Sequence, residues 1–334
     1  MPGRVRMALI GCGNMGRNHL RDILKQQDTT EIVALCDIAP EAIEKAAEIF
    51  EQASVPMPPS EPSLDRLLAN HGLDAVFIVT PHAVHFGQAR ACLEAGLDVL
   101  LEKPMVMNAQ EALSLIEARD RAGKLLTVAF NGSLSPEIRE SVRLLRSGEL
   151  GKVLSISATI WQRWGPGTTG KWRQVPEISG GGFMIDTGAH MLNTVADLAG
   201  ERFVEVAAYT DNYGRPVETL AAVIARLASG ALVTFHGCGE TVQSCDSDIR
   251  VFCTEAILRT GAWGRWLELQ RQGDADFHPV QVPPSLGAWQ QFVAVRNGEF
   301  ANPSPPEVGL RMARLYDAIL ASAARHGAPV SCSD

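Results

Sequence analysis

"VRMALIGCGNMG", residues 5 to 16, decides the fold. A continuous β-like run, "VRMALI" (5–10), meets Gly11, Gly13 and Gly16, and "NMGRNHLRDILKQQ" (14–27) continues with helical period. In a strand–turn–helix of this kind Gly11 allows the tight turn. Gly13 lets backbone approach a pyrophosphate with no Cβ in the way, and Gly16 permits close helix–strand packing. The second strand, "EIVALCD" (31–37), ends in Asp37, at the spacing the fingerprint requires. A carboxylate there accepts hydrogen bonds from ribose hydroxyls and repels a 2′-phosphate, and the next residues are Ile38 and Ala39 rather than arginine. The pattern predicts a dinucleotide held by Gly11, Gly13, Asn14, Met15, Gly16 and Asp37, with NAD favoured over NADP. The competing reading is a glycine turn that merely packs.

Downstream, strand-like and helix-like stretches keep alternating. The helix "PEAIEKAAEIFEQA" (40–53) and the proline-rich loop "VPMPPSEPS" (55–63) precede the strand "DAVFIVT" (74–80). The helix "HFGQARACLEAG" (85–96), the strand "DVLLEK" (98–103), the helix "AQEALSLIEARDRAG" (109–123) and the strand "KLLTVAF" (124–130) complete the series. Apolar strands separated by helices predict a parallel sheet covered on both faces. Ligands bind at the carboxyl edge of such a sheet, so Thr80, Pro81, His85, Glu102 and Lys103, in "TPHAVH" and "EKP", are expected to face the cofactor. A lysine ending an apolar strand has a bland alternative, a snorkelling side chain.

After about residue 130 the rhythm changes. A helix, "SPEIRESVRLLRSGELG" (135–151), leads to the alternating strand "KVLSISATIWQRW" (152–164) and a glycine-rich loop. The strands "FVEVAAYT", "TLAAVIARLA", "ALVTFHGCG" and "DIRVFCT" follow, and helices are expected near 287–298 and 305–327. The prediction is an α/β domain over residues 1–130 and an α+β domain over 131–334, the latter on a mostly antiparallel or mixed sheet.

The chain of 334 residues is 46% hydrophobic and 20% charged, which is ordinary globular composition. Its net charge of −8 and the lack of any basic block argue against nucleic acid as a partner. The first residues run directly into a strand with no apolar leader, and no apolar stretch approaches the roughly 18 residues that span a bilayer, so a cytoplasmic protein is expected. The seven cysteines are scattered without a C-x-x-C pair, which predicts reduced thiols. "HAVH" (82–85) has no accompanying carboxylate or cysteine pair, so no metal site is expected.

"SGGGFMIDTGAH" (179–190) carries an acid and an imidazole four residues apart. If "FMIDTGAHMLNTVADLA" is one helix, Asp186 and His190 lie on one face about a turn apart. Glycines 180 to 182 are then expected to give a ligand clearance and to leave the first helical amides uncovered. The alternative is a buried, mutually satisfied pair.

Taken together, "GCGNMG", "TPHAVH", "EKP" and "GGGFMIDTGAH", in this order and at these intervals, closely resemble the glucose–fructose oxidoreductase / inositol dehydrogenase (Gfo/Idh/MocA) family, along nearly the whole chain. The resemblance implies an N-terminal Rossmann domain, a C-terminal domain on a large open sheet, and an active site between them. It also implies that Lys103 is the catalytic lysine, that the Lys103–Pro104 bond is often cis, and that Asp186 and His190 complete the catalytic set. Asn131, Trp172 and Arg173 fall where relatives line the substrate pocket, together with Lys103, Asp186 and His190. Two positions depart from the pattern: His82 stands where asparagine is common, and "NGSLSP" lacks an arginine after Asn131.

Such a set suits oxidation of a secondary alcohol of a sugar, inositol or related polyol. His190 would take the hydroxyl proton, Lys103 would stabilise the alkoxide, and Asp186 would orient the substrate. In some relatives the lysine is itself the acid/base. A keto-sugar reductase using NAD(P)H and a non-catalytic NAD(P)-binding sensor remain the alternatives. The resemblance further implies a homodimer or homotetramer formed through the C-terminal sheet.

Overall fold

A computed structural model describes residues 3–70 and 72–332. The chain divides into two compact units. One comprises Met1–Met105, Glu111–Ala129 and Leu286–Pro306; the other comprises Val106–Gln110, Phe130–Ser285 and Glu307–Asp334.

In the first unit, strands β1 (Val5–Ile10), β2 (Thr30–Cys36), β3 (Ser60–Glu61), β4 (Ala75–Ile78), β5 (Asp98–Leu101) and β6 (Leu126–Val128) form a sheet ordered β3-β2-β1-β4-β5-β6. Every pairing is parallel. The apolar runs exist because helices cover both faces: Met7, Leu9, Val76, Phe77, Val99 and Leu100 are wholly buried. The order reverses beside β1, which sets the switch point, the place where sheets of this kind bind ligands, at the carboxyl ends of β1 and β4. The proline-rich stretch expected as loop contributes β3, which pairs with β2 at the sheet edge, where missing amide donors do least harm. A further helix, Leu64–Asn70, follows it.

Leu286–Pro306 returns to this first unit although it lies far along the chain. Its helix Ala288–Arg296 buries Trp289, whose Nε1 donates to Thr30 Oγ1 at 2.9 Å. The indole stacks on Phe77 at 6.4 Å and meets Phe292 at 5.1 Å.

The second unit holds β7 (Val153–Gln162), β8 (Phe203–Asp211), β9 (Leu220–Leu227), β10 (Leu232–Cys238), β11 (Cys245–Cys253), β12 (Ala256–Thr260), β13 (Leu267–Arg271), β14 (His278–Pro279) and β15 (Val330–Ser331). They make a sheet ordered β14-β13-β12-β11-β7-β10-β9-β8-β15. The β7–β10 pair is parallel and the other pairs are antiparallel, so the sheet is mixed and largely antiparallel. Residues alternate along each strand: Ile156, Ala158, Ile160, Val223, Val233 and Phe235 face the core. On the opposite face Tyr209 and Ile224 are 65% and 58% exposed. Helix Gly188–Ala199 packs on β7 and is buried from Gly188 to Ala196. Helix Pro136–Ser147 begins as its sequence demands, with Ser135 Oγ accepting the Ile138 N–H at 3.1 Å.

No helix among the described residues is long and apolar enough to cross a membrane. The cysteines are free thiols, and burial pushes Cys12 and Cys92 up to about 12, which leaves both unreactive.

Replacing Trp289 with Ala should cost about 3–5 kcal/mol, the usual loss for a large buried aromatic. Denaturant unfolding of the purified chain checks it; a loss below about 1 kcal/mol would show that the return segment is not part of the first core.

Candidate active site

The first unit builds a dinucleotide cradle from its own steric demands. Gly11 sits at φ +95°, and a Cβ there would lie 2.5 Å from the Val79 carbonyl oxygen. A Cβ on Gly16 would collide with the Gly11 carbonyl, whereas one on Gly13 would meet nothing within 4 Å. Gly11 and Gly16 are therefore required by the chain itself, and Gly13 faces open space. Helix Asn14–Ile23 starts there with no side-chain cap and no acid in its first turn, so its amide dipoles suit an anion. Asn14 and Met15 are exposed at this turn. Asp37 braces the turn: Oδ2 accepts the Cys12 N–H at 2.7 Å and Oδ1 the Ala39 N–H at 2.9 Å. Each oxygen keeps lone-pair capacity for a ribose hydroxyl.

Thr80 and Pro81 follow β4, and Glu102 and Lys103 follow β5, at the same carboxyl edge as the glycine turn. Thr80 Oγ1 donates to Gln88 Oε1 at 2.6 Å, and Pro81 starts helix His82–Glu94. The Lys103–Pro104 bond is cis.

His85, expected at the cofactor, is instead wholly buried. Its Nδ1 lies 2.8 Å from the Pro104 carbonyl oxygen and its Nε2 2.8 Å from that of Thr80. The imidazole ties the "TPH" and "EKP" segments together from behind.

Glu102 is likewise interior. Oε1 lies 2.7 Å from His19 Nε2, and Oε2 accepts the Lys103 N–H at 2.9 Å. Burial would raise this carboxyl, but the hydrogen bond and charge of His19, with the charge of Lys103, outweigh it and hold it below the ordinary value.

The second unit carries the remaining residues. Asp186 is 5% exposed, and its Oδ2 accepts from Trp164 Nε1 and from Arg173 Nε, each at 2.8 Å. The Arg173 guanidinium that meets the acid lies 4.4 Å over the Trp172 ring, so Arg173 links that ring to Asp186. His190 is 8% exposed, between Phe130, edge-on at 6.4 Å, and Trp263 at 5.7 Å. Asn131 is exposed beside Phe130 at the start of helix Asn131–Leu134.

The single helix expected over this acid and imidazole is interrupted. Phe183–Asp186 and Gly188–Ala199 are separate segments, and the His190 N–H donates to the Thr187 oxygen, 3.2 Å away. The turn between Asp186 and His190 is thus the tighter, three-residue kind.

The glycines before them differ more. A Cβ on Gly180 would meet Met107 at 2.8 Å, one on Gly181 would strike the Tyr316 hydroxyl, and one on Gly182 the Glu218 carbonyl. What fills the space is protein. The first helical amides are covered as well: Phe183 N–H donates to the Glu218 carbonyl at 2.8 Å, and Met184 N–H to Glu218 Oε1 at 3.3 Å. Tyr316 Oη also donates to Glu218 Oε1, at 3.3 Å. Burial raises the Glu218 carboxyl above its ordinary value. Sequence reasoning missed His19, Glu218, Trp263 and Tyr316, because each meets its partner from a distant point in the chain.

The chain matches two family descriptions. Residues 5–130 match "Oxidoreductase family, NAD-binding Rossmann fold", and residues 138–259 match "GFO/IDH/MocA C-terminal domain". The protein belongs to the GFO/IDH/MocA oxidoreductase family. Among curated relatives it is 30% identical over 205 residues to Oxidoreductase P35 of Formosa agariphila, covering 60% of this chain and 62% of the relative. It is 29% identical over 262 residues to Inositol 2-dehydrogenase 4 of Saccharopolyspora erythraea, covering 77% of this chain and 72% of the relative. The match thus spans less than two thirds of the first relative's length. Among solved structures, an aldose-aldose oxidoreductase from Caulobacter crescentus complexed with glycerol superimposes with TM-score 0.84 at 23% identity, covering 98% of this chain and 99% of that one, which supports the fold.

The raised Glu218 carboxyl makes stability depend on pH. The folded chain holds that proton more tightly than the unfolded chain, whose carboxyl titrates near 4.5. The contribution is therefore full below about pH 4.5 and is lost as pH rises through the folded value. Glu218→Gln keeps an acceptor for Met184 and Tyr316 without the charge. Its stability relative to the unsubstituted chain should grow as pH rises above about 4.5. Denaturant unfolding from pH 4 to 8 checks this, and a pH-independent difference would contradict it.

Proposed function

We propose that the chain is an NAD-dependent oxidoreductase that takes hydride from a secondary alcohol of a sugar, inositol or related polyol. The observation that carries this reading is the placing of Lys103 at the same carboxyl edge as an open, uncapped glycine turn braced by Asp37. The cradle fits a dinucleotide: Gly13 leaves room for a pyrophosphate, and Asp37 offers acceptors to ribose hydroxyls rather than a site for a 2′-phosphate. Its nicotinamide, when bound, supplies the hydride acceptor.

The chain's own groups do the rest. Lys103 holds the substrate hydroxyl oxygen and stabilises the negative charge that grows there as the C–H bond breaks. His190 accepts the hydroxyl proton at a ring nitrogen, a task suited to a group with an ordinary pKa near neutrality. Asp186, fixed by Arg173 and Trp164, orients the substrate by accepting from a neighbouring hydroxyl. Asn131, Trp172 and Arg173 contribute to substrate binding, and Trp263 forms an apolar wall beside the His190 ring.

The purified protein should raise absorbance in the reduced-nicotinamide band when mixed with NAD and a member of a panel of inositols, free sugars and glycosides, and do so faster with NAD than with NADP. Lys103→Ala and His190→Ala should each lower turnover at least about a hundredfold while binding NAD. Full turnover in both variants would overturn the residue roles, and silence across the panel in both directions with both cofactors would overturn the activity.

The outward face of β7 to β10, with Tyr209, Ala222, Ile224 and Thr234, further supports assembly through a second copy of the chain, since apolar sheet faces of this kind are normally covered. Light scattering should give at least twice the chain mass of 36.0 kDa; a monomer at micromolar concentration would contradict it.

A further inference from the structure

Cys12, between the first two glycines of the turn, is held by opposite charges at its two backbone groups. Its N–H donates to Asp37 Oδ2 at 2.7 Å, and its carbonyl oxygen accepts from Arg17 Nη1 at 2.9 Å. Arg17 lies in the first turn of helix Asn14–Ile23, and its own N–H donates to the Gly13 carbonyl at 3.0 Å. Helical side chains lean toward the N-terminus of their helix. This one folds back past Gly13, to the peptide that joins Cys12 to Gly13.

The guanidinium is half-buried, and the Cys12 carbonyl engages only one of its several N–H donors. Among the described residues no carboxylate pairs with it, Asp37 included. Elsewhere on the same unit the chain supplies acids to its arginines: Arg6 meets Glu31 at 3.3 Å, Arg66 meets Glu61 at 3.0 Å, and Arg296 meets Asp98 at 2.9 Å.

The use for an unpaired cation here follows from Asp37. A carboxylate that accepts from ribose hydroxyls also repels the negative charges of a pyrophosphate, for which Gly13 leaves room. The first turn of the helix holds no acid, and Arg17 is its cation. A planar guanidinium suits phosphate because parallel N–H groups can meet two oxygens at once.

We propose that Arg17 is a cofactor-binding residue: its remaining N–H donors contact the pyrophosphate of the dinucleotide and offset the repulsion from Asp37. The inference rests on the reading of the glycine turn as the cofactor cradle, and its test reads binding rather than turnover.

Isothermal titration calorimetry of the full chain with NAD, at about 50 mM and about 500 mM sodium chloride, compares the unsubstituted protein with Arg17→Gln, Arg17→Lys and Arg21→Gln. Arg21 is an exposed arginine of the same helix and serves as the control. At the lower salt Arg17→Gln should bind NAD at least about tenfold more weakly, as expected for the loss of a charge-assisted hydrogen bond. Arg17→Lys, which keeps the charge, should bind more tightly than Arg17→Gln, and Arg21→Gln should stay within about threefold of the unsubstituted protein. ADP, which has the phosphates without the nicotinamide, should lose at least as much affinity as NAD in Arg17→Gln. At the higher salt the gap between the unsubstituted protein and Arg17→Gln should narrow, because screening weakens the attraction between guanidinium and phosphate. Arg17→Met, which keeps the apolar stem, replaces Arg17→Gln if the latter does not melt cooperatively, with the same expected loss.

NAD affinity in Arg17→Gln within about threefold of the unsubstituted protein at the lower salt overturns the inference. So does a loss that is equally large at both salt concentrations, which would make Arg17 a prop for the Cys12 carbonyl and nothing more. A loss confined to NADP would put the guanidinium at the 2′-phosphate and overturn it as well. Failure of the unsubstituted protein to bind NAD would overturn the reading of the cradle itself, and the inference with it.

Discussion

A carboxylate withdrawn from water must be met by donors of the chain, and that constraint shapes every part of the candidate site. Asp37 is met by two backbone amides, so the glycine turn and the end of β2 are fixed to each other. Glu102 is met by His19 and by the amide of Lys103, which fixes the end of β5. Asp186 is met by Trp164 and Arg173, which fixes the loop that carries Trp172. Glu218 is met by Met184 and Tyr316, which fixes the start of the segment bearing Asp186. Each acid is both a chemical group and a fastening, and removing any one disturbs the backbone as well as the charge.

The glycines show the same economy in two different ways. Gly11, Gly16, Gly181 and Gly182 are glycine because neighbouring protein atoms occupy the place of a Cβ, whereas at Gly13 that place is empty. Only the last fits ligand clearance. The run at 180–182 is close-packed against Met107, Tyr316 and Glu218, and the amides of Phe183 and Met184 that follow it are already served by Glu218.

What the sequence made legible was local or periodic. The G-x-G-x-x-G turn with Asp37 downstream needs only a strand, a turn and a helix in succession, and the unbroken apolar character of β1, β4 and β5 follows from burial on both faces. Alternation along β9 and β10 likewise separates core from surface without any knowledge of partners. What stayed hidden depended on long-range meetings. Nothing near Trp289 announces Thr30, nothing near Gly181 announces Tyr316, and the tightening at Thr187, beside Gly188, interrupts a stretch that otherwise keeps a helical period. His85 shows the same dependence: its place near a sheet's working edge is legible in the sequence, but the carbonyls of Pro104 and Thr80 beside its two nitrogens are not.

The central claim, direct hydride transfer from a polyol carbon to the cofactor, is tested most directly by isotope. A substrate carrying deuterium at its carbinol carbons, incubated with the protein and NAD, should give reduced cofactor one mass unit heavier, with the label on the nicotinamide ring by mass spectrometry. Unlabelled reduced cofactor, or no reduction of NAD by any polyol, would contradict the account.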